Sequence, residues 1–281
     1  MSVHKVVGGG GVFLHVQEWG NPAGRPILLI HGWSQNHLCW AKQFESELAE
    51  QFRLVAFDLR GHGNSDAPSQ AESYVDGDEW ADDVSAVIDA LDLHRPVLVG
   101  WSYGGFVIMD YVRKYGSERI GGINFVGAAV VLKGDELHLL GDVFLTNAPL
   151  AASEDPSISI QAILNFLHGC FSVDVGRDVF ETVIAFNMMV KPRVRGFLAQ
   201  RELDFRPEMS RLNVPVLVSQ GMEDKIVLPA MADVILNTIP GATASLYDHV
   251  GHAPFLEQAD RFNRELTDLV KWGEQAENVS S

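Results

Sequence analysis

Pro96-Val97-Leu98-Val99-Gly100-Trp101-Ser102-Tyr103-Gly104-Gly105 runs from a short apolar stretch into a glycine-flanked serine, and then into a helical pattern that continues to Tyr115. A serine at the apex of so tight a strand-to-helix turn points its hydroxyl away from the sheet. Neighbours two positions away must be small or the chain collides with itself, and Gly100 and Gly104 meet that need.

Further apolar runs of the same character lie on either side of this turn. Ile27 to Ile30 ends at His31-Gly32, and Leu54 to Phe57 ends at Asp58. Ile123 to Val126 is extended by Ala128 to Leu132, Val214 to Val218 ends at Gln220-Gly221, and Ala244 to Tyr247 is shorter. Short unbroken runs suit strands buried on both faces, as in a parallel sheet. Helical spacing lies between them. Trp80, Val84, Val87, Ile88 and Leu91 share a face, with Asp82 and Asp83 in the first turn where the helix dipole favours them. Arg261 to Trp272 turns Phe262, Leu266, Leu269 and Val270 inward. Strand–helix alternation predicts the α/β class, an open sheet with helices on both faces. Gly8 to Gly11 joins two strand-like pieces and reads as a hairpin turn rather than a phosphate cradle.

Residues 133–208 break the alternation. Ile160, Ile163, Leu164, Leu167, Cys170 and Phe171 follow one helical stripe; Val179, Phe180, Val183, Ile184 and Met188 follow a second, with no strand between. The expected organisation is a core of residues 1–132 and 209–281 carrying a helical insertion, 133–208, that no polar or Pro/Gly linker sets apart.

The formal charge is −16, from 21 Lys plus Arg against 37 Asp plus Glu. A surface this negative repels phosphate backbones and anionic headgroups, so neither nucleic acid nor a membrane is an expected partner. Cys39 and Cys170 lack metal-ligand spacing and read as buried free thiols. The N-terminus shows no signal-peptide pattern, and no apolar run approaches the ~20 residues that span a bilayer, so a cytoplasmic location is expected.

A serine hydroxyl needs a base to take its proton. Only a histidine beyond a late strand can reach Ser102, and His249-Val250-Gly251-His252-Ala253-Pro254 offers two. His252 is favoured, because Gly251 lets the loop turn back and Pro254 stiffens its exit. The group that orients the imidazole is sought after the preceding strand, where Glu223 and Asp224 are adjacent. Asp224 is favoured, Glu223 reading as a solvated surface acid. Donors for a developing oxyanion are expected from the backbone N–H of Tyr103, the residue after the serine, and of Trp33 in His31-Gly32-Trp33-Ser34. The reading calls for no metal and no cofactor.

With these residues in place the sequence resembles the α/β-hydrolase superfamily. The resemblance rests on His31-Gly32-Trp33, the Asp58-to-Asp66 segment, the turn around Ser102, Gly221-Met222-Glu223-Asp224 and Gly251-His252-Ala253-Pro254, in that order. It implies a mostly parallel eight-stranded sheet with a helical cap inserted after the sixth strand. The Trp after His-Gly and the Gly-His-Ala-Pro ending are similar to the esterase and cofactor-free haloperoxidase branch. Relatives that remove halide or open epoxides carry Asp where this chain has Ser102. Relatives that read a free amino terminus use cap acids, and Glu136, Glu154, Asp155, Glu181 and Glu202 form no such pattern here. The expected function is hydrolysis of a carboxylic ester or lactone through an acyl-enzyme on Ser102. Carbon–carbon bond hydrolysis and acyl transfer to peroxide are the alternatives, with a non-catalytic binding protein more remote. The expected partner is a small molecule with an apolar or aromatic portion. Phe166, Phe171, Phe180, Phe186, Met188 and Met189 are candidates for its pocket, although most are expected to pack the insertion against the body. Oligomeric state is left open.

Overall fold

The computed structural model describes residues 1–280, with side chains through Gln275. Ten strands are formed: β1 (Ser2–Val7), β2 (Phe13–Gly20), β3 (Pro26–Ile30), β4 (Arg53–Phe57), β5 (Val97–Trp101), β6 (Gly122–Val126), β7 (Val131–Leu132), β8 (Leu203–Asp204), β9 (Val216–Gly221) and β10 (Thr243–Tyr247). Eight of them make one sheet in the order β1-β2-β4-β3-β5-β6-β9-β10, antiparallel at β1–β2 and β2–β4 and parallel beyond. Every residue of β3, β5, β6 and β9 is buried, which is why apolar residues fill both faces rather than alternating; the polar Asn124 of β6 and Ser219 of β9 are buried against each other, Ser219 Oγ donating to Asn124 Oδ1 at 3.0 Å. The edge strand β10 alternates, as a strand with one wet face does.

Helices α1 (Gly77–Ala90), α2 (Gly104–Tyr115), α3 (Asp142–Ala151), α4 (Pro156–Cys170), α5 (Arg177–Met188), α6 (Pro192–Leu198), α7 (Pro229–Thr238) and α8 (Ala259–Ser280) fill the connections, along with shorter turns. Asp76 caps α1 by accepting from the Asp78 N–H at 2.9 Å, and Asp155 caps α4 through Ser157 at 2.9 Å. The glycine run closes the β1–β2 hairpin, with Gly10 and Gly11 at positive φ. Its Gly9 N–H donates to Asp83, whose carboxylate also holds the buried Arg60.

Between β6 and β9 the chain forms α3 to α6, and the antiparallel pair β7–β8 ties the two ends of this segment together. The run Ala128 to Leu132 does not extend β6. Gly127 takes φ +46° and turns the chain, so Val131–Leu132 pairs separately with Leu203–Asp204. The segment also holds two helices, α3 and α6, that the sequence stripes did not mark. Cys39 and Cys170 are free and buried. Among the described residues no helix is long and apolar enough to cross a membrane.

Candidate active site

Ser102 sits between β5 and α2 at φ +56°, a conformation rare for a residue with a side chain. The turn is held on three sides: Ser102 N–H donates to Val126 O at 3.0 Å, and its carbonyl accepts from Gly105 N (3.0 Å) and Ala129 N (3.1 Å). The flanking glycines are demanded by backbone contact. A Cβ on Gly100 would lie 2.7 Å from the Gly104 carbonyl oxygen, and one on Gly104 would lie 2.5 Å from Ile30 O.

Asp224 follows β9 and His252 follows β10. Their side chains meet at 2.7 Å, Asp224 Oδ2 to His252 Nδ1, both buried. The remaining lone pairs of Asp224 are also occupied: Oδ1 accepts from Ile226 N (2.8 Å) and Val227 N (3.0 Å), and Oδ2 from Gln220 Nε2 (3.2 Å). These bonds stabilise the carboxylate and fix its orientation. With Nδ1–H given to Asp224, the neutral imidazole presents a bare Nε2, and that atom is buried without a protein partner. Trp101, beside Ser102, donates from Nε1 to His252 O at 2.8 Å and packs its ring 5.4 Å from the imidazole. Gly127 passes so close that a Cβ there would stand 3.1 Å from His252 Nδ1.

The competitors pair with each other instead. Glu223 Oε1 lies 3.0 Å from His249 Nδ1 at the surface, where the His249 side chain is 91% exposed. Exposure separates the two Asp/Glu–His pairs, which sequence spacing alone does not.

Gly32 places the loop after β3 against the serine; a Cβ on it would be 2.9 Å from Ser102 Cβ. The next residue is Trp33. Among the described residues, neither the Trp33 N–H nor the Tyr103 N–H makes a hydrogen bond within the protein. The Trp33 ring packs edge-on to Phe144 (5.6 Å) and Phe166 (5.1 Å) of the inserted segment.

A cavity of about 260 Å³ opens beside Ser102. Its wall is Trp33, Tyr103, Phe106, Ala129, Leu132, Leu137, Leu140, Phe144, Leu145, Ala148, Pro149, Leu198, Ala199, Ile226 and Val227, without one charged side chain. The six Phe and Met residues expected at the pocket are not on it. The residues of the inserted segment that border it lie mainly on α3 and at the end of α6, while Phe166 and Phe186 are buried in packing and Met188 and Met189 are exposed. A stripe identifies an inward face but not whether that face meets a void or a neighbour.

The sequence reading also missed the residues that brace the site. Glu257 accepts from Gly251 N (3.0 Å) and from Ser172 N (2.8 Å), and the burial of its carboxylate raises its pKa. The amide of His252 donates to Cys170 O at 2.7 Å, at the end of α4. Arg201 holds Asp110 through two bonds (2.7 and 2.8 Å) and reaches Tyr103 Oη at 3.3 Å. For the Arg201–Asp110 pair the available signal was Asp110, a lone acid within the apolar helical pattern of α2, which implies a buried partner without naming it.

Among the described residues one group has the proximity of metal ligands: His15, His37 and Asp58, with one donor atom each within 4.8 Å. Asp58 is already committed to the loop, accepting from His37 Nδ1 (2.6 Å), His37 N (2.9 Å) and Asn64 N (2.8 Å). None of the three borders the cavity.

An open, mostly parallel α/β sheet, a strained serine at its central strand–helix turn and a buried Asp–His pair on two later loops define the class of protein. Residues 25–259 match the family model described as "alpha/beta hydrolase fold". The chain belongs to that family. It is 34% identical to an esterase from Rhodococcus sp. ECU1013, covering 96% of this chain and 99% of that one with a TM-score of 0.91. It is 28% identical to a non-heme chloroperoxidase of Streptomyces lividans (93% of this chain, 97% of the relative). It is 29% identical to a bifunctional esterase/perhydrolase of Acinetobacter calcoaceticus (77% and 80%). These relatives span the esterase and haloperoxidase branch.

Proposed function

We propose that the protein is a serine hydrolase of small apolar carboxylic esters or lactones, with Ser102, Asp224 and His252 as its catalytic residues. The observation that carries the reading is the buried, unpartnered Nε2 of an Asp224-anchored His252, together with the strained serine under an uncharged cavity. His252 Nε2 takes the Ser102 proton as Oγ bonds to the carbonyl carbon. The oxyanion receives the free N–H groups of Trp33 and Tyr103. Collapse breaks the bond to the alkoxy oxygen, to which His252 returns the proton, leaving an acyl-enzyme that water hydrolyses by the same steps in reverse order.

A cavity of about 150 Å³ accommodates benzene. At about 260 Å³ this one suits a ring or short branched acyl group rather than a long fatty chain. The absence of a cation on the wall disfavours the charged diketone acids of a carbon–carbon hydrolase. The inserted segment, residues 133–208, serves as the cap that closes this cavity. The two free thiols fit a reducing compartment such as the cytoplasm.

A fluorophosphonate probe is expected to label Ser102 stoichiometrically, and Ser102→Ala to lower ester turnover by about 10⁶-fold. Peptide mapping of the adduct and p-nitrophenyl acetate kinetics check both; folded protein without label at Ser102 overturns the reading. A second reading, capture of the same acyl-enzyme by peroxide, is favoured by the chloroperoxidase and perhydrolase relatives. Peracid yield from acetate and peroxide, compared with ester turnover, separates the two.

A further inference from the structure

Arg195, on α6, is 2% exposed. Its Nε donates to Ser34 Oγ at 3.0 Å, one terminal nitrogen to Ala151 O (3.1 Å) and Ser159 Oγ (3.2 Å), and the other to Asn187 O (2.7 Å). No carboxylate pairs with it among the described residues, and burial alone lowers its pKa to about 10, which leaves it charged at neutral pH. Its counter-charges are helix ends. Ala151 closes α3 and Asn187 lies in the last turn of α5, where the backbone carbonyls carry the negative pole of each helix. One guanidinium thus joins three helices of the inserted segment to Ser34.

Ser34 follows Trp33 directly and is itself at φ +62°, while its N–H donates to His62 Nε2 at 3.1 Å. A non-glycine residue in that region relaxes unless its surroundings hold it. Here His62 holds it from the body and Arg195 from the insertion. Arg195 does not border the cavity, so it does not touch a substrate there.

We propose that Arg195 is a positioning residue of the oxyanion site: by gripping Ser34 from the inserted segment it aims the Trp33 N–H, so the site is complete only with that segment docked. The inference rests on the proposed function. It is tested with Ser34→Gly, which removes the acceptor and tolerates the positive φ, with Arg195→Lys, and with the double variant. Each is measured for p-nitrophenyl acetate kinetics, thermal midpoint, and affinity for a trifluoromethyl ketone that adds to the serine as a tetrahedral oxyanion.

Loss of aim is expected to lower kcat on the order of 10- to 100-fold with KM within about twofold. Ketone affinity should fall by the same factor as kcat, and the double variant should be no worse than the poorer single one, because both break one link. A merely structural arginine would lower the thermal midpoint without that parallel. If Arg195→Lys does not fold, Ser34→Gly decides alone. Unchanged kcat and ketone affinity in Ser34→Gly, with an active parent, overturns this inference and leaves the proposed function standing. A parent enzyme that neither turns over esters nor labels at Ser102 overturns both.

Discussion

Two carboxylate–imidazole pairs stand one residue and three residues apart in the chain, and only burial tells them apart. Asp224 accepts from two backbone amides, an amide side chain and His252, whereas Glu223 meets His249 in solvent. Asp224→Asn is expected to cost about 10⁴ in kcat, because the amide cannot hold the imidazole in the tautomer with a bare Nε2. Glu223→Gln is expected to stay within about twofold, since an exposed pair contributes little; side-by-side ester assays check both. Ser102, Asp224, His252, Trp33 and Tyr103 could be nominated from the sequence because each sits at a fixed offset from a strand end or a glycine. Arg195, Arg201 and Glu257 could not be picked out, because their partners lie far along the chain: Ser34 for Arg195, Asp110 for Arg201 and Ser172 for Glu257.

At the scale of elements, the loop carrying His252 is wedged rather than free. Its Gly251 carbonyl lies so close to β9 that a Cβ on Gly221 would stand 1.9 Å from that oxygen. Backbone is on both sides, so no rotamer change relieves the contact. Gly221→Ala is therefore expected to displace the loop, destabilising the fold by about 1–3 kcal/mol and lowering kcat more than it raises KM; urea unfolding and ester kinetics read the two effects. Helices α4 and α5 were legible from their stripes. Helix α3 was not: Val143, Phe144, Leu145, Ala148 and Leu150 leave it apolar round most of its circumference, and Pro149 interrupts the pattern. That loss of periodicity has a cause, because α3 packs on α4 and also roofs the cavity.

For the whole molecule, acid is the expected weakness. His31 and His62 are fully buried and neutral, their pKa values lowered to about 3 and about 4, chiefly by desolvation. His31 Nε2 accepts from Leu59 N at 3.0 Å and His62 Nε2 from Ser34 N, roles open only to the neutral ring. The unfolded chain takes up these protons near pH 6.5 and the folded one does not. Stability is thus full above about pH 6.5 and falls as pH drops towards 4, by up to roughly 2.7 kcal/mol per pH unit while both groups differ in protonation. Urea denaturation at pH 7, 6 and 5 checks this, and His62→Gln, which retains an acceptor, should shallow the slope.

The strand order also sets a timetable for synthesis. β6 has β5 on one side from the moment it emerges, but its other neighbour, β9, begins about ninety residues later. At about 5–20 residues per second the ribosome leaves that mostly apolar edge unpaired for roughly 5–18 s while residues 127–215 are made. An open edge of this kind invites pairing with other chains. The nascent protein is therefore expected to be most prone to aggregation before residue 216 is reached, and to depend on chaperones most in that interval.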